Sequence, residues 1–287
     1  MSDDVFTYLG WRRDLPDLRD VTFDDHEVQG ILRISSAFKS VTGTGAILPA
    51  SVDLRKWCGR IRSQGKVRAS SALAASALVE YFERRAFDRH AEPSALFLYR
   101  NARDLVASSG DCGADLRSTL RALATFGAPT DAQLRYEPSR FDDPIPQICY
   151  GYAERFRTVR YFRLDPANAR GSEILVNVRR ALAARLPSVF GLPVYSSFPT
   201  PGDLASEIPY PSRGEQLFGG LALVAVGYDD ERIIGGEQGA LLVRNAWGST
   251  WCDKGYAWLP YKWVESRLAC DFWSIMRPDF VNTDLFN

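Results

Sequence analysis

The stretch "QGKVRASSALAASALVEY", residues 64–81, decides how the rest of the chain is read. A glycine and a short polar turn lead into a run of small apolar residues. Apolar residues on most positions predict a central helix buried on all sides. The head of such a helix suits a nucleophile, because the helix dipole and its free N–H groups favour an anion there. The residue at that head is Ser70. Its hydroxyl is protonated at neutral pH and attacks nothing unless a base stands within hydrogen-bond reach.

On either side of this run the chain changes character. Residues 1–46 form a polar leader that ends in "SVTGTGAIL", a Gly/Thr/Ser-rich stretch that reads as a linker. Trp11, Leu15 and Leu18 are its apolar residues expected to pack on the main body, 47–287. Residues 51 to about 150 read as helical. "SALFLYRNARDLVA" is amphipathic, with Ser94 placed to cap it, and "DLRSTLRALATFG" ends at Gly127, a suitable helix-stop residue. From about 151 to 280 the pattern becomes short apolar runs bounded by Gly, Pro and Asp: "RTVRYFRL", "PSVFGLPVY", "LALVAVGYDD" and "GALLVRNAW" read as strands. One helix, "EILVNVRRALAARL", interrupts them. Residues 199–216 form a Pro/Gly/Ser-rich connection, and Asp229–Asp230 read as a hairpin turn. A helical half followed by a sheet half is an α+β arrangement, with a groove between the halves as the natural place for a site.

Composition narrows the function. Of 287 residues, 35 are Lys or Arg and 35 are Asp or Glu. A balanced charge gives no footing for nucleic acid or an anionic membrane. The start, "MSDDVFTYLGWRRDLPDLRD", has no apolar core of a signal peptide, and no apolar run approaches the length of a membrane span. A cytoplasmic location is therefore expected. Five scattered cysteines with no CxxC pattern, and only two histidines, His26 and His90, argue against a zinc site. Reduced thiols, no metal and no cofactor are the expectation.

Three further stretches complete the picture: "SVDLRKW" before the central helix, "FGGLALVAVGYDD", and "LLVRNAWGSTWCDKGYAWLPY". With "SQGKVRASS" and the "GWRRDLPDLRD" leader, in this order and with these separations, the chain resembles the papain family of cysteine proteases, its bacterial members especially. The resemblance runs from about residue 5 to 275. It implies an α+β papain-like fold: a helical left domain and a β-barrel-like right domain, with a groove that receives an extended peptide.

The same resemblance assigns the parts of the catalytic machinery. It places the oxyanion-binding glutamine on Gln64, the nucleophilic cysteine on Ser70, the general-base histidine on Leu221, and the asparagine that orients that histidine on Asn245. Leu221 has no titratable atom, so the two residues that perform the chemistry in such enzymes are both replaced. Arg68 stands where a glycine lets substrate pass close to the nucleophile; it covers the groove, binds an acidic group, or is simply exposed. Gly113 falls where relatives bring a substrate backbone against the left domain, or is a loop glycine. Trp247 neighbours Asn245 and, with Trp251, is expected in the core; Cys252 is expected as a buried free thiol. His26 and His90 read as exposed. Two functions follow. One is an inactive pseudoprotease that binds or scaffolds a peptide or protein partner, with no nucleic acid and no membrane involved. The other is a Ser70-dependent hydrolase or acyl transferase using a base outside the family pattern.

Overall fold

The computed structural model describes residues 5–42, 47–157 and 159–281. Of the linker expected around 40–48, residues 43–46 lie outside the described residues, and 40–42 are the end of a helix. The leader contains a single 3-10 turn, Val5–Tyr8, a two-residue strand β1 (Trp11–Arg12), and two short helices, α1 (His26–Leu32) and α2 (Ser36–Thr42). After strand β2 (Ser51–Asp53) comes the long helix α3 (Ser70–Phe87). Its residues 70–83 are all buried, because Ala and Ser side chains let neighbouring elements approach from every side. Asp88, in the left-handed conformation at φ 51°, ends it with its N–H bonded to the carbonyls of Arg84 and Glu83.

Helix α4 (Ala95–Leu105) starts where Ser94 Oγ accepts the Phe97 N–H. The two-residue strand β3 (Ala114–Asp115) leads into α5 (Leu116–Phe126), capped by the Asp115 carboxylate and stopped at Gly127, φ 75°. Helix α6 (Gln147–Ala153) closes this half. In the other half, β4 (Arg160–Arg163), β5 (Ser188–Tyr195), β6 (Leu217–Ile234), β7 (Glu237–Arg244), β8 (Tyr256–Pro260) and β9 (Cys270–Met276) form one sheet in the order β4-β9-β5-β6-β7-β8. The helix expected among the strands is α7 (Gly171–Ala183); α8 (Lys262–Glu265) and α9 (Pro278–Val281) are short. All pairings in this sheet are antiparallel.

Two expectations need correction here. Strand β2, at the start of the stretch read as helical, belongs to the sheet, where Ser51–Asp53 pair with Asp229–Gly227 of β6. Asp229 and Asp230 are not a turn: β6 continues through them, and the hairpin turns at Gly235 (φ 58°) and Gly236 (φ 85°). Two successive positive φ values are what a tight two-residue hairpin requires, and glycine adopts them without strain. Asp230 instead ion-pairs with Arg179 and accepts the Tyr261 hydroxyl at 2.7 Å.

The leader lies on the body through three attachments. Phe23 stacks on Phe162 of β4 and meets Phe38 of α2 edge-on, while Val28 and Leu32 of α1 are buried. Asp14 and Asp20 enter a buried charge cluster on Arg163 and Arg117. Trp11 and its neighbours run into the groove. Leu15 and Leu18, expected to pack, are 80% and 105% exposed. The chain between Asp14 and Asp20 is fixed by charge instead: the anchoring aspartates bind inward, and Asp17 braces Arg19 within the loop. The leucines are left pointing out.

Candidate functional site

The α3 N-terminus meets β6 at the centre of the groove. Ser70 is the first residue of α3, fully buried, and its hydroxyl oxygen accepts the Ala222 N–H at 3.3 Å. Leu221, equally buried, precedes Ala222 on the same strand. Among the described residues no imidazole or carboxylate lies within hydrogen-bond distance of the Ser70 hydroxyl. His26 and His90 are exposed, as expected; His90 lies on a surface depression beside Arg60 and Asp131. A serine hydroxyl needs such a base within reach to act as a nucleophile.

Gln64 is 2% exposed, and its backbone N–H donates to Ala246 O at 2.8 Å. Its amide Nε2 donates to two carbonyls, Val67 O at 3.1 Å and Tyr8 O of the leader at 2.7 Å. The donor expected to hold an oxyanion thus holds a leader peptide carbonyl. Asn245, also buried, lines a small internal cavity together with Ala222 and Leu73. Its Oδ1 turns back to accept the Ala246 N–H at 2.7 Å, and its Nδ2 finds no acceptor among the described residues. The Asn245 side chain thus satisfies its own backbone, and its amide N–H groups point to no acceptor among the described residues.

All three groove candidates touch the leader. The Arg68 carbonyl packs against Gly10, and its N–H is held by the Asp111 carboxylate at 3.0 Å. The guanidinium of Arg68, half-buried, makes no ion pair among the described residues. Gly113, at φ 74°, presents its open face to Gly10 O, where a Cβ would come within 2.0 Å. Trp247 is 4% exposed and meets Phe6 edge-on at 6.4 Å, as well as Phe198 and Trp251. Cys252 is half-buried rather than buried; desolvation, with Asp203 and Asp253 adding repulsion, pushes its thiol up to about 12.

The sequence reading missed what surrounds these positions. Trp11 lies over Gly191 of β5 and Gly220 of β6, and Phe6 stacks on Phe218 with ring centroids 4.5 Å apart. The signal available was the glycine itself: a glycine inside a strand pattern often marks a close approach by another group. Also missed was the cluster around Arg163. Its guanidinium contacts Asp14, Asp20, Asp165 and Asp271, and Trp273 Nε1 donates to Asp14 at 2.7 Å. These partners lie far apart in sequence, and nothing local announces them. No group of three or more metal-ligating side chains with the geometry of a metal site occurs among the described residues.

This is the fold of papain-like cysteine peptidases, a helical and a sheet-rich domain facing across a groove. No family model matches the chain. An uncharacterized peptidase C1-like protein of Acanthamoeba polyphaga mimivirus is 29% identical over 97% of this chain and 93% of its own length. Among solved structures, xylellain, a cysteine protease from Xylella fastidiosa, is 27% identical with a TM-score of 0.75, covering 94% of this chain and 97% of that one. A procathepsin B from Trypanosoma congolense shares the fold at 17% identity and a TM-score of 0.64, covering 96% of this chain and 87% of that one. No helix among the described residues is long and apolar enough to cross a membrane.

Proposed function

We propose that this chain is a pseudoprotease: a papain-like body that does not cleave peptides and acts instead as a binding or scaffolding subunit for a peptide or protein partner. The observation that carries this reading is the surroundings of Ser70. Its hydroxyl accepts a backbone N–H beside Leu221, with no base in reach among the described residues. In the best-studied serine triad, loss of either nucleophile or base costs on the order of 10⁶ in turnover. Binding and an oxyanion hole alone retain roughly 10³–10⁴ over water. Here even the oxyanion donor, Gln64, is engaged with Tyr8 O. The relatives' names describe peptidases, and peptidase chemistry of that kind needs a thiolate and an imidazole.

The test is hydrolysis of a mixed peptide library by the purified wild-type chain, by Ser70→Ala, and by Ser70→Cys combined with Leu221→His. We expect wild type and Ser70→Ala to be equally silent. The double variant should recover weak turnover, because it supplies a thiol and an imidazole at positions 70 and 221. Turnover in wild type that disappears in Ser70→Ala would overturn the proposal and leave the serine hydrolase or acyl transferase.

A further inference from the structure

The leader crosses the groove as a 3-10 turn, Val5–Tyr8, followed by an extended stretch through β1, and the walls around it are shaped to particular residues. Phe6 stacks on Phe218 and stands edge-on to Trp247. Gly10 is clamped between backbones: a Cβ there would come within 2.0 Å of Arg68 O, while its own carbonyl accepts the Ala114 N–H at 2.9 Å. Backbone atoms on the wall cannot move aside as a side-chain tip would, so only glycine fits that position. The next residue, Trp11, fills a hollow that exists because two strand residues have no side chain. A Cβ on Gly191 would lie 1.9 Å from the Trp11 indole, and one on Gly220 2.5 Å from it. For Gly191 all three nearest atoms belong to Trp11. The closest neighbour of that glycine is therefore the indole.

We propose that the groove is a sequence-selective peptide site that reads a Gly–Trp step preceded by an aromatic residue four positions before the glycine, with Gly191 and Gly220 as its specificity-determining residues. The leader is its resident ligand in cis, and a segment of the same pattern on a partner protein replaces it in trans. This rests on the proposed function only in treating the groove as a place of binding. Cleavage and binding are read separately below.

The tether sets the terms of exchange. A covalently attached ligand competes at an effective concentration of order millimolar, so the wild-type chain takes up a free peptide weakly. Trp11→Ala in the full chain weakens the resident ligand. Burying an aromatic side chain of this kind contributes roughly 1.5–3 kcal/mol, or about 10–150-fold in affinity.

The probe is a fluorescent synthetic peptide of residues 5–13, followed by anisotropy, with mass spectrometry of the same samples to detect cleavage. The Trp11→Ala chain should bind it at least tenfold more tightly than wild type. Peptides with alanine in place of Gly10 or of Trp11 should lose at least tenfold. Trp11→Ala combined with Gly191→Ala should bind none of them while retaining a cooperative thermal transition. Equal binding of the Gly10→Ala peptide, or undiminished binding by the Gly191→Ala combination, overturns the selectivity. A bound but cleaved peptide leaves the recognition standing and overturns the pseudoprotease reading.

A second measurement covers the case in which Trp11→Ala does not fold. Gly191→Ala alone adds one methyl group whose three nearest atoms are all of the Trp11 indole, and should make the leader susceptible to limited proteolysis under conditions in which wild type is protected. A leader equally protected in both overturns the proposal.

Discussion

Replacing Asp14 by asparagine should flatten the dependence of stability on pH between about 4 and 7. Asp14 is 7% exposed. Its Oδ2 accepts from Trp273 Nε1 at 2.7 Å and faces Arg163 Nη1 at 3.3 Å, and its Oδ1 accepts the Arg117 N–H at 3.2 Å. Its own N–H donates to the Asp271 carboxylate at 2.8 Å. Asp20 and Asp165 share the same Arg163, Arg117 pairs with Asp20, Asp115 lies near enough to repel, and Arg13 acts on Asp271. The carboxylates of Asp14, Asp20, Asp165 and Asp271 outnumber Arg163, Arg117 and Arg13, which favours a protonated carboxyl in the cluster. Burial first, then repulsion by Asp271, pushes Asp14 up from 3.8 to about 7. A carboxyl raised in the folded chain holds a proton that the unfolded chain releases near 3.8. Its favourable contribution is therefore fully present below about pH 4, declines as pH rises toward 7, and is gone above that. The slope is at most about 1.4 kcal/mol per pH unit and falls to half that at the folded pKa, so about 1.6 kcal/mol is lost between pH 5.5 and 7.0. Asparagine keeps the shape and has no proton to lose. Urea unfolding of wild type and Asp14→Asn at those two pH values measures the difference directly. Asp165, pushed up to about 7 by burial, and Asp271, also pushed up by burial, titrate in both proteins, so the difference between the two pH slopes is the readout. Parallel changes in the two proteins would refute the reasoning.

Arg163→Met should be among the most damaging substitutions. It strips the counter-charge from buried carboxylates, and urea unfolding at pH 7 should show a loss of about 3 kcal/mol or more. Ser94→Ala removes the oxygen that accepts the Phe97 N–H and should cost about 1 kcal/mol by the same assay. Native alkylation at pH 7.5 should leave Cys252 and Cys270 unmodified for as long as the chain stays folded. Burial, with neighbouring aspartates adding to it, pushes both thiols up to about 12.

The main helix and the register of the central positions were legible because both are local. Small apolar residues at 70–79 specify a buried helix whatever surrounds it, and the six-residue step from Gln64 to Ser70 fixes their relation through one short turn. Ser94 and Gly127 stood at their helix ends for equally local reasons. The leader was read by hydrophobicity, which held for Trp11 and failed for Leu15 and Leu18. Leu15 and Leu18 are apolar yet exposed, because charge pairing at Asp14 and Asp20 fixes the loop between them. Asp229 and Asp230 suggested a turn by type, but the pairing of β6 with β2 and β7 carries the strand through them. The seat of Trp11 depends on Gly191 and Gly220 from two different strands. That seat exists only once the sheet has formed.

The bond from the Asp14 N–H to Asp271, and that from Trp273 to Asp14, join residues 257 and 259 positions apart. During synthesis at about 5–20 residues per second, Asp14 waits roughly 13–50 s before its partners on β9 exist. Through that interval Asp14 and Trp11 have left the ribosome while the sheet that receives them is still being made. Loop closure across such a separation is slow and entropically costly. The nascent chain therefore carries an unsatisfied, partly apolar front end for most of its synthesis. The seats of Trp11 and Asp14 are complete only once β5, β6 and β9 have all been made.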